Sequence, residues 1–148
     1  MNRRSILSLF AVAVASLFSC APSQAKGGFP AGSPSFQTDY KAALATAAKE
    51  GKPLVVVFSA SWCQPCQLNK KNVYPDAAVK PFHDKFVWVY LDTDEDANGA
   101  LFKTFSSAGS IPHIQFLSKG GKAIDSVVGL TKPADFAAKL QAVLGKAK

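Results

Sequence analysis

What this sequence has little of narrows its chemistry before any motif is read. In 148 residues there are three cysteines and two histidines. A structural zinc site wants four ligands at paired spacings, and Cys63 and Cys66 with either His83 or His113 supply one cysteine pair, so a dithiol metal site is only the weaker alternative. The apolar run Ile6 to Phe18 stops short of the ~20 residues needed to cross a bilayer. The net charge of +7 is not gathered into a basic stripe interleaved with aromatics: Lys70, Lys71, Lys119, Lys122, Lys146 and Lys148 are scattered. They read as a solvated face, and no nucleic-acid partner is expected. The acidic stretch Asp92 to Gly99 lacks what a calcium loop requires, since positions six and twelve, counted from Asp92, are Ala97 and Lys103 where glycine and glutamate are needed. Internal repeats are also missing.

What is present begins with a leader. Arg3 and Arg4 precede the apolar run, and small and polar residues follow to Ala25, the pattern of a bacterial secretory signal over residues 1–25. Ser23-Gln24-Ala25 suits cleavage before Lys26 and a soluble product. Leu17-Phe18-Ser19-Cys20 resembles a lipobox and offers the alternative of a lipid anchor at Cys20, although Phe18 is bulky for that motif. Either way the expected location is exported and periplasmic. Residues 26–35, rich in glycine, proline and serine, are expected to be a flexible leader. Residues 36–148 then make one domain with a single core, expected to act as a monomer.

The chain's centre is Val55 to Cys66, VVVFSASWCQPC. Val55 to Phe58 is uninterrupted, β-branched or aromatic, as in a strand covered on both faces. Ser59 to Ser61 turns the chain, and Gln64 to Asn72 suits a helix, with Pro65 tolerable in its opening turn. Both cysteines therefore fall at a helix N-terminus, where the dipole and unpaired N–H groups favour thiolate. Cysteines so placed titrate at roughly 3.5 to 7.5 against about 8.5 for a free thiol. Cys63 is the expected exposed nucleophile and Cys66, three residues on, the resolving thiol. A disulfide closing so small a loop constrains the unfolded chain little, which favours a redox over a structural role.

Other elements follow from local pattern. Asp39 is expected to cap a helix running to Glu50, with Tyr40, Leu44, Ala47 and Ala48 on one face and Gly51 ending it. Asp76 is expected to cap a short segment after Pro75. Strands are expected at Phe86–Leu91, Ile114–Leu117 and near Ala123–Val128, with a helix over Ala97–Phe105. Thr131 is expected to cap a last helix in which Phe136, Leu140, Val143 and Leu144 share a face.

Trp62-Cys63-Gln64-Pro65-Cys66 after a valine-rich strand resembles the thioredoxin superfamily. Ser110-Ile111-Pro112-His113 is similar to that family's cis-proline loop, and Gly120-Gly121 to the hairpin joining its last strands. Glu50 to Pro53 and Tyr74 to Phe82 are similar to exported domains of the thiol:disulfide interchange protein type. The resemblance spans about Phe36 to Leu144. It implies an α/β, three-layer thioredoxin-like fold, a central mixed sheet of about four strands with flanking helices. It also implies thiol–disulfide exchange between Cys63 and Cys66 without metal or organic cofactor, on protein or peptide disulfides, with a membrane thiol reductase as electron donor. By the same resemblance Pro112 is cis, Ile111 offers its backbone to an extended substrate, and Trp62 and Pro65 border the sulfurs.

One departure stands out. Many thioredoxins carry a buried aspartate six residues before the first cysteine and a lysine on the next strand. The matching positions here are Val57 and Tyr90, so both polar partners are replaced together. His113 is the candidate substitute for proton transfer. A non-catalytic thioredoxin-like binding module is the remaining alternative.

Overall fold

The computed structural model describes residues 28–147. The segment read as a secretory signal, Cys20 and the first residues of the expected leader lie outside the described residues.

The chain runs β1 (Phe36–Gln37), α1 (Tyr40–Glu50), β2 (Leu54–Ser59), α2 (Gln64–Asn72), a 3-10 turn (Lys80–Lys85), β3 (Val87–Asp92), α3 (Asp96–Phe105), β4 (His113–Leu117), β5 (Ala123–Val128) and α4 (Pro133–Lys146). The sheet order is β1-β3-β2-β4-β5. β1 and β2 pair with β3 in parallel, whereas β2–β4 and β4–β5 are antiparallel. The sheet thus has five strands, not about four. β1 escaped because two residues are too short to show a period.

All six side chains of β2 are buried, as a central strand between two layers requires. Its alternation sorts them. Val55 and Val57 join Tyr74, Trp88, Ile114, Phe116, Phe136, Leu140 and Val143 on the face covered by α4 and the chain after α2. Val56 and Phe58 join Ala43, Ala47, Val89, Leu91, Phe102 and Leu117 under α1 and α3. Burying each large apolar side chain contributes about 1.5–3 kcal/mol, and the two layers hold β2 from both sides.

Asp39 caps α1 as expected, its Oδ1 accepting the Ala42 N–H at 2.7 Å, and Gly51 closes the helix at φ 69°. The inward face differs by one residue: Ala43 is buried in place of Ala48, which is exposed. Asp76 accepts the Ala78 N–H at 2.9 Å within a turn. Thr131 does not cap α4. The helix opens on Pro133 after Lys132, with no side-chain cap, because proline preset at the first position suffices to start it. Within the segment read as a flexible leader, Phe29 is docked, stacked on Phe36 at 4.5 Å and edge-on to Tyr90 at 5.1 Å.

Candidate active site

β2 ends at Ser59 and a short turn delivers Cys63 to the N-cap of α2, with backbone φ −79° and ψ 100°. Cys63 and Cys66 are joined by a disulfide, their Cα atoms 5.2 Å apart. One helical turn supplies that spacing without backbone distortion. The Cys63 Sγ also accepts the Cys66 N–H at 3.3 Å, so the sulfur occupies the position of a capping oxygen. On leaving the disulfide as thiolate it would face a donor that α2 cannot otherwise satisfy.

Cys63 is not openly exposed as expected. It is 3% accessible and Cys66 1%, packed with Ala60 and half-buried Ile111. The turn is braced by Gln67, whose Nε2 donates to the Ala60 carbonyl at 3.0 Å. An attacking or attacked sulfur therefore meets its partner through a narrow approach, bordered by the residues around it.

Those residues are the ones singled out from the sequence. Trp62 is 69% exposed, and its indole N–H donates to Asp94 Oδ1 at 3.2 Å and Oδ2 at 2.9 Å. Pro65 is half-buried in the first turn of α2. The Ile111–Pro112 bond is cis, Pro112 is buried, and its carbonyl accepts the Gly129 N–H at 2.8 Å. Of these, Ile111 packs on the two cysteines, while Trp62 and Pro65 adjoin Cys63 and Cys66 in the chain.

His113 does not join them. It pairs with Phe58 in the β2–β4 ladder, and its ring packs on Phe58 and Phe102 at centroid distances of 6.1 and 5.7 Å, under α3. Its Nε2 contacts Gln115 Oε1 at 3.2 Å. These contacts lie on the sheet face opposite the one that holds Val57 and Tyr74. The replaced polar pair is filled differently. Val57 lies opposite Tyr90 in the ladder, and the Tyr90 hydroxyl hydrogen-bonds the Ser59 hydroxyl, which is fully buried. Burial pushes the Tyr90 phenol above its usual range, with the Ser59 bond opposing and Asp92 adding to the shift.

The metal alternative gains no grouping: among the described residues no set of three or more His, Cys, Asp or Glu is placed to hold an ion. His83 Nε2 lies 2.9 Å from the Tyr74 carbonyl, and its ring is edge-on to Trp88.

Two contributors were missed from sequence. Asp94 lay in an acidic run read as a plain strand end, and nothing local tied it to Trp62, 32 residues away. Asn69, fully buried and donating from Nδ2 to the Gly129 carbonyl at 3.1 Å, looked like an ordinary helix residue. Its spacing of three from Cys66, placing it on the buried face, was the available signal.

A dithiol at a helix N-terminus beside a cis-proline loop, on this sheet, defines a thiol–disulfide oxidoreductase. Residues 35–119 match the family model described as thioredoxin-like, and the chain belongs to that family. It is 32% identical over 109 residues to the thiol:disulfide interchange protein DsbD of Pseudoalteromonas atlantica, covering 72% of this chain but 18% of that protein. The DsbD of Ralstonia nicotianae gives 32% over 108 residues with the same coverage. The chain thus spans less than a fifth of the length of these relatives. Among solved structures, a thioredoxin from Thermus thermophilus superposes with a TM-score of 0.67 at 25% identity, over 74% of this chain and 87% of that one. The oxidised C-terminal domain of Neisseria meningitidis DsbD gives 0.63 at 24% identity, over 73% and 98%, a likeness of fold.

Proposed function

We propose that the chain is exported and reduces or interchanges disulfides of exported proteins. The observation that carries this reading is the Cys63–Cys66 disulfide seated on the α2 N-terminus, with Cys63 Sγ facing the Cys66 N–H. In the reduced protein the Cys63 thiolate attacks one sulfur of the substrate disulfide. The S–S bond breaks, the departing sulfur leaves as thiolate and takes up a proton, and a mixed disulfide remains on Cys63. Cys66, deprotonated, then attacks the Cys63 sulfur. The substrate is released with both sulfurs as thiols, and the enzyme keeps the two-electron oxidation as Cys63–Cys66. Trp62, Pro65, Ile111 and Pro112 form the surface on which the substrate chain lies, with the Ile111 backbone offered to it in extended form. His113 is not assigned the proton transfer, given its contacts under α3.

Export rests on Arg3, Arg4 and the apolar run behind them. The name of the DsbD relatives supports interchange as the activity; an exported reductant needs electrons delivered to it, and a membrane thiol reductase is the proposed source. A Gln-Pro pair between the cysteines favours the reducing direction. Equilibration against glutathione or dithiothreitol tests this. A potential between about −270 and −150 mV supports the reductive assignment, and one above about −150 mV overturns it. The mass of the mature N-terminus separates cleavage before Lys26 from lipidation at Cys20.

A further inference from the structure

Asn69 sits on α2 one helical turn beyond Cys66 and is completely buried. Its Nδ2 donates to the Gly129 carbonyl at 3.1 Å, and its Oδ1 accepts the Thr131 N–H at 3.2 Å. Both partners belong to the segment between β5 and α4, after the ladder has ended and before the helix has begun, so that backbone has no regular partner there. The same segment turns the other way as well, since the Gly129 N–H donates to the Pro112 carbonyl at 2.8 Å. Three hydrogen bonds thus pin a tripeptide between the dithiol helix and the cis-proline loop. The middle residue of that tripeptide, Leu130, is 58% exposed.

A buried asparagine is a costly choice at this place. It is a poor residue for a helix interior, and an apolar side chain of similar volume would avoid burying an amide only by leaving the Gly129 carbonyl and the Thr131 N–H without their partner. What asparagine adds is a fixed distance. We propose that Asn69 is a positioning residue that sets the opening between the dithiol helix and the Pro112–Leu130 shelf, so that a macromolecular disulfide meets a preformed seat. It touches neither substrate nor sulfur and acts through Gly129 and Thr131. The inference rests on the reading of protein disulfides as substrates.

Small and large disulfides separate this role from plain stability, because only a large one needs the shelf. Pre-reduced protein is mixed with excess insulin or with hydroxyethyl disulfide, and remaining thiols are trapped by alkylation over time. Asn69→Leu and Asn69→Ala are expected to slow the reaction with insulin five- to tenfold, the loss of a preordered loop segment, and to change the reaction with hydroxyethyl disulfide less than twofold. An equal slowing on both substrates, or none on insulin, overturns the proposal. So does failure of both variants to fold, which makes Asn69 a residue of stability. On the unaltered protein, the Thr131 amide is expected to exchange its proton far more slowly than an open loop, and exchange at the open-loop rate overturns the clamp directly. If the unaltered reduced protein reacts with neither disulfide, the functional reading itself has failed, a different outcome from loss of the size discrimination.

Discussion

The indole N–H of Trp62 is shared between both carboxylate oxygens of Asp94, at 3.2 and 2.9 Å, so the exposed ring next to Cys63 is held by the loop between β3 and α3. Trp62 is 69% accessible, so packing holds the ring little. The carboxylate is therefore what orients it.

Asp94→Ala is expected to loosen Trp62 and lower kcat/KM on a protein disulfide about two- to fivefold, the scale of one exposed charge-assisted hydrogen bond. Stability is expected to change by less than about 0.5 kcal/mol, as for a surface substitution. Tryptophan fluorescence anisotropy reports the loosening. Asp94→Asn, which keeps an acceptor, is expected to fall between the two. Unchanged anisotropy in the alanine variant contradicts the orienting role.

Tyr90→Phe removes the partner of a fully buried hydroxyl, Ser59 Oγ. The expected cost is about 1–3 kcal/mol in urea unfolding, with much of it recovered in Tyr90→Phe/Ser59→Ala, where no polar group is left alone. Burial raises the Tyr90 phenol, so the folded state favours its neutral form. Its contribution to stability is complete below the unfolded value near 10 and is lost as pH rises above it. The double variant is expected to lose less stability than the unaltered protein in that alkaline window. If the two fall in parallel, the assignment is wrong.

His83 titrates in the opposite sense. Burial lowers its imidazole below 6.5, against the Tyr74 carbonyl and Asp84, which favour the charged form. The fold therefore prefers neutral His83. Stability from this preference is full above about pH 6.5 and is lost as pH falls through the lowered folded value, because the unfolded chain takes up the proton first. His83→Gln can still donate to the Tyr74 carbonyl but does not titrate. Its melting temperature is expected to decline less than that of the unaltered protein between roughly pH 7 and 5. Equal declines refute it.

Phe29 stacks on Phe36 and lies under the Lys70 ammonium, 4.3 Å from the ring centroid. Phe29→Ala is expected to cost about 1–2 kcal/mol from lost apolar contact and cation–π attraction. Cleavage by proteinase K within residues 28–35, followed by mass spectrometry, is expected to be faster in the variant. Identical cleavage rates show that the segment is held by something else.

The elements with a period or a capping residue were legible in the sequence. The valine-rich β2, the Asp39 cap, the Gly51 stop and the α4 stripe of Phe136, Leu140 and Val143 all rest on local chemistry. The dithiol was legible for the same reason, because Pro65 and the spacing of Cys63 and Cys66 place it at a helix start. What could not be read locally is what the fold brings from afar. β1 forms only because Val87–Asp92 offers it an edge, and two residues carry no pattern of their own. Asn69 meets Gly129 and Thr131 across some sixty positions, and Trp62 meets Asp94 across 32. His113 follows the cis-proline in sequence, but strand alternation turns it under α3, away from the face that holds Val57.

The proposed exchange requires Cys63 to capture a substrate sulfur and Cys66 to release it. Reduced Cys66→Ser protein is incubated with insulin and analysed by intact mass under denaturing, non-reducing conditions. A covalent adduct carrying an insulin chain on Cys63, removed by dithiothreitol and absent from Cys63→Ser, is the expected result. If no adduct forms while the unaltered protein still turns insulin over, or if the adduct forms equally without Cys63, the assignment of Cys63 as nucleophile and Cys66 as resolving thiol is contradicted.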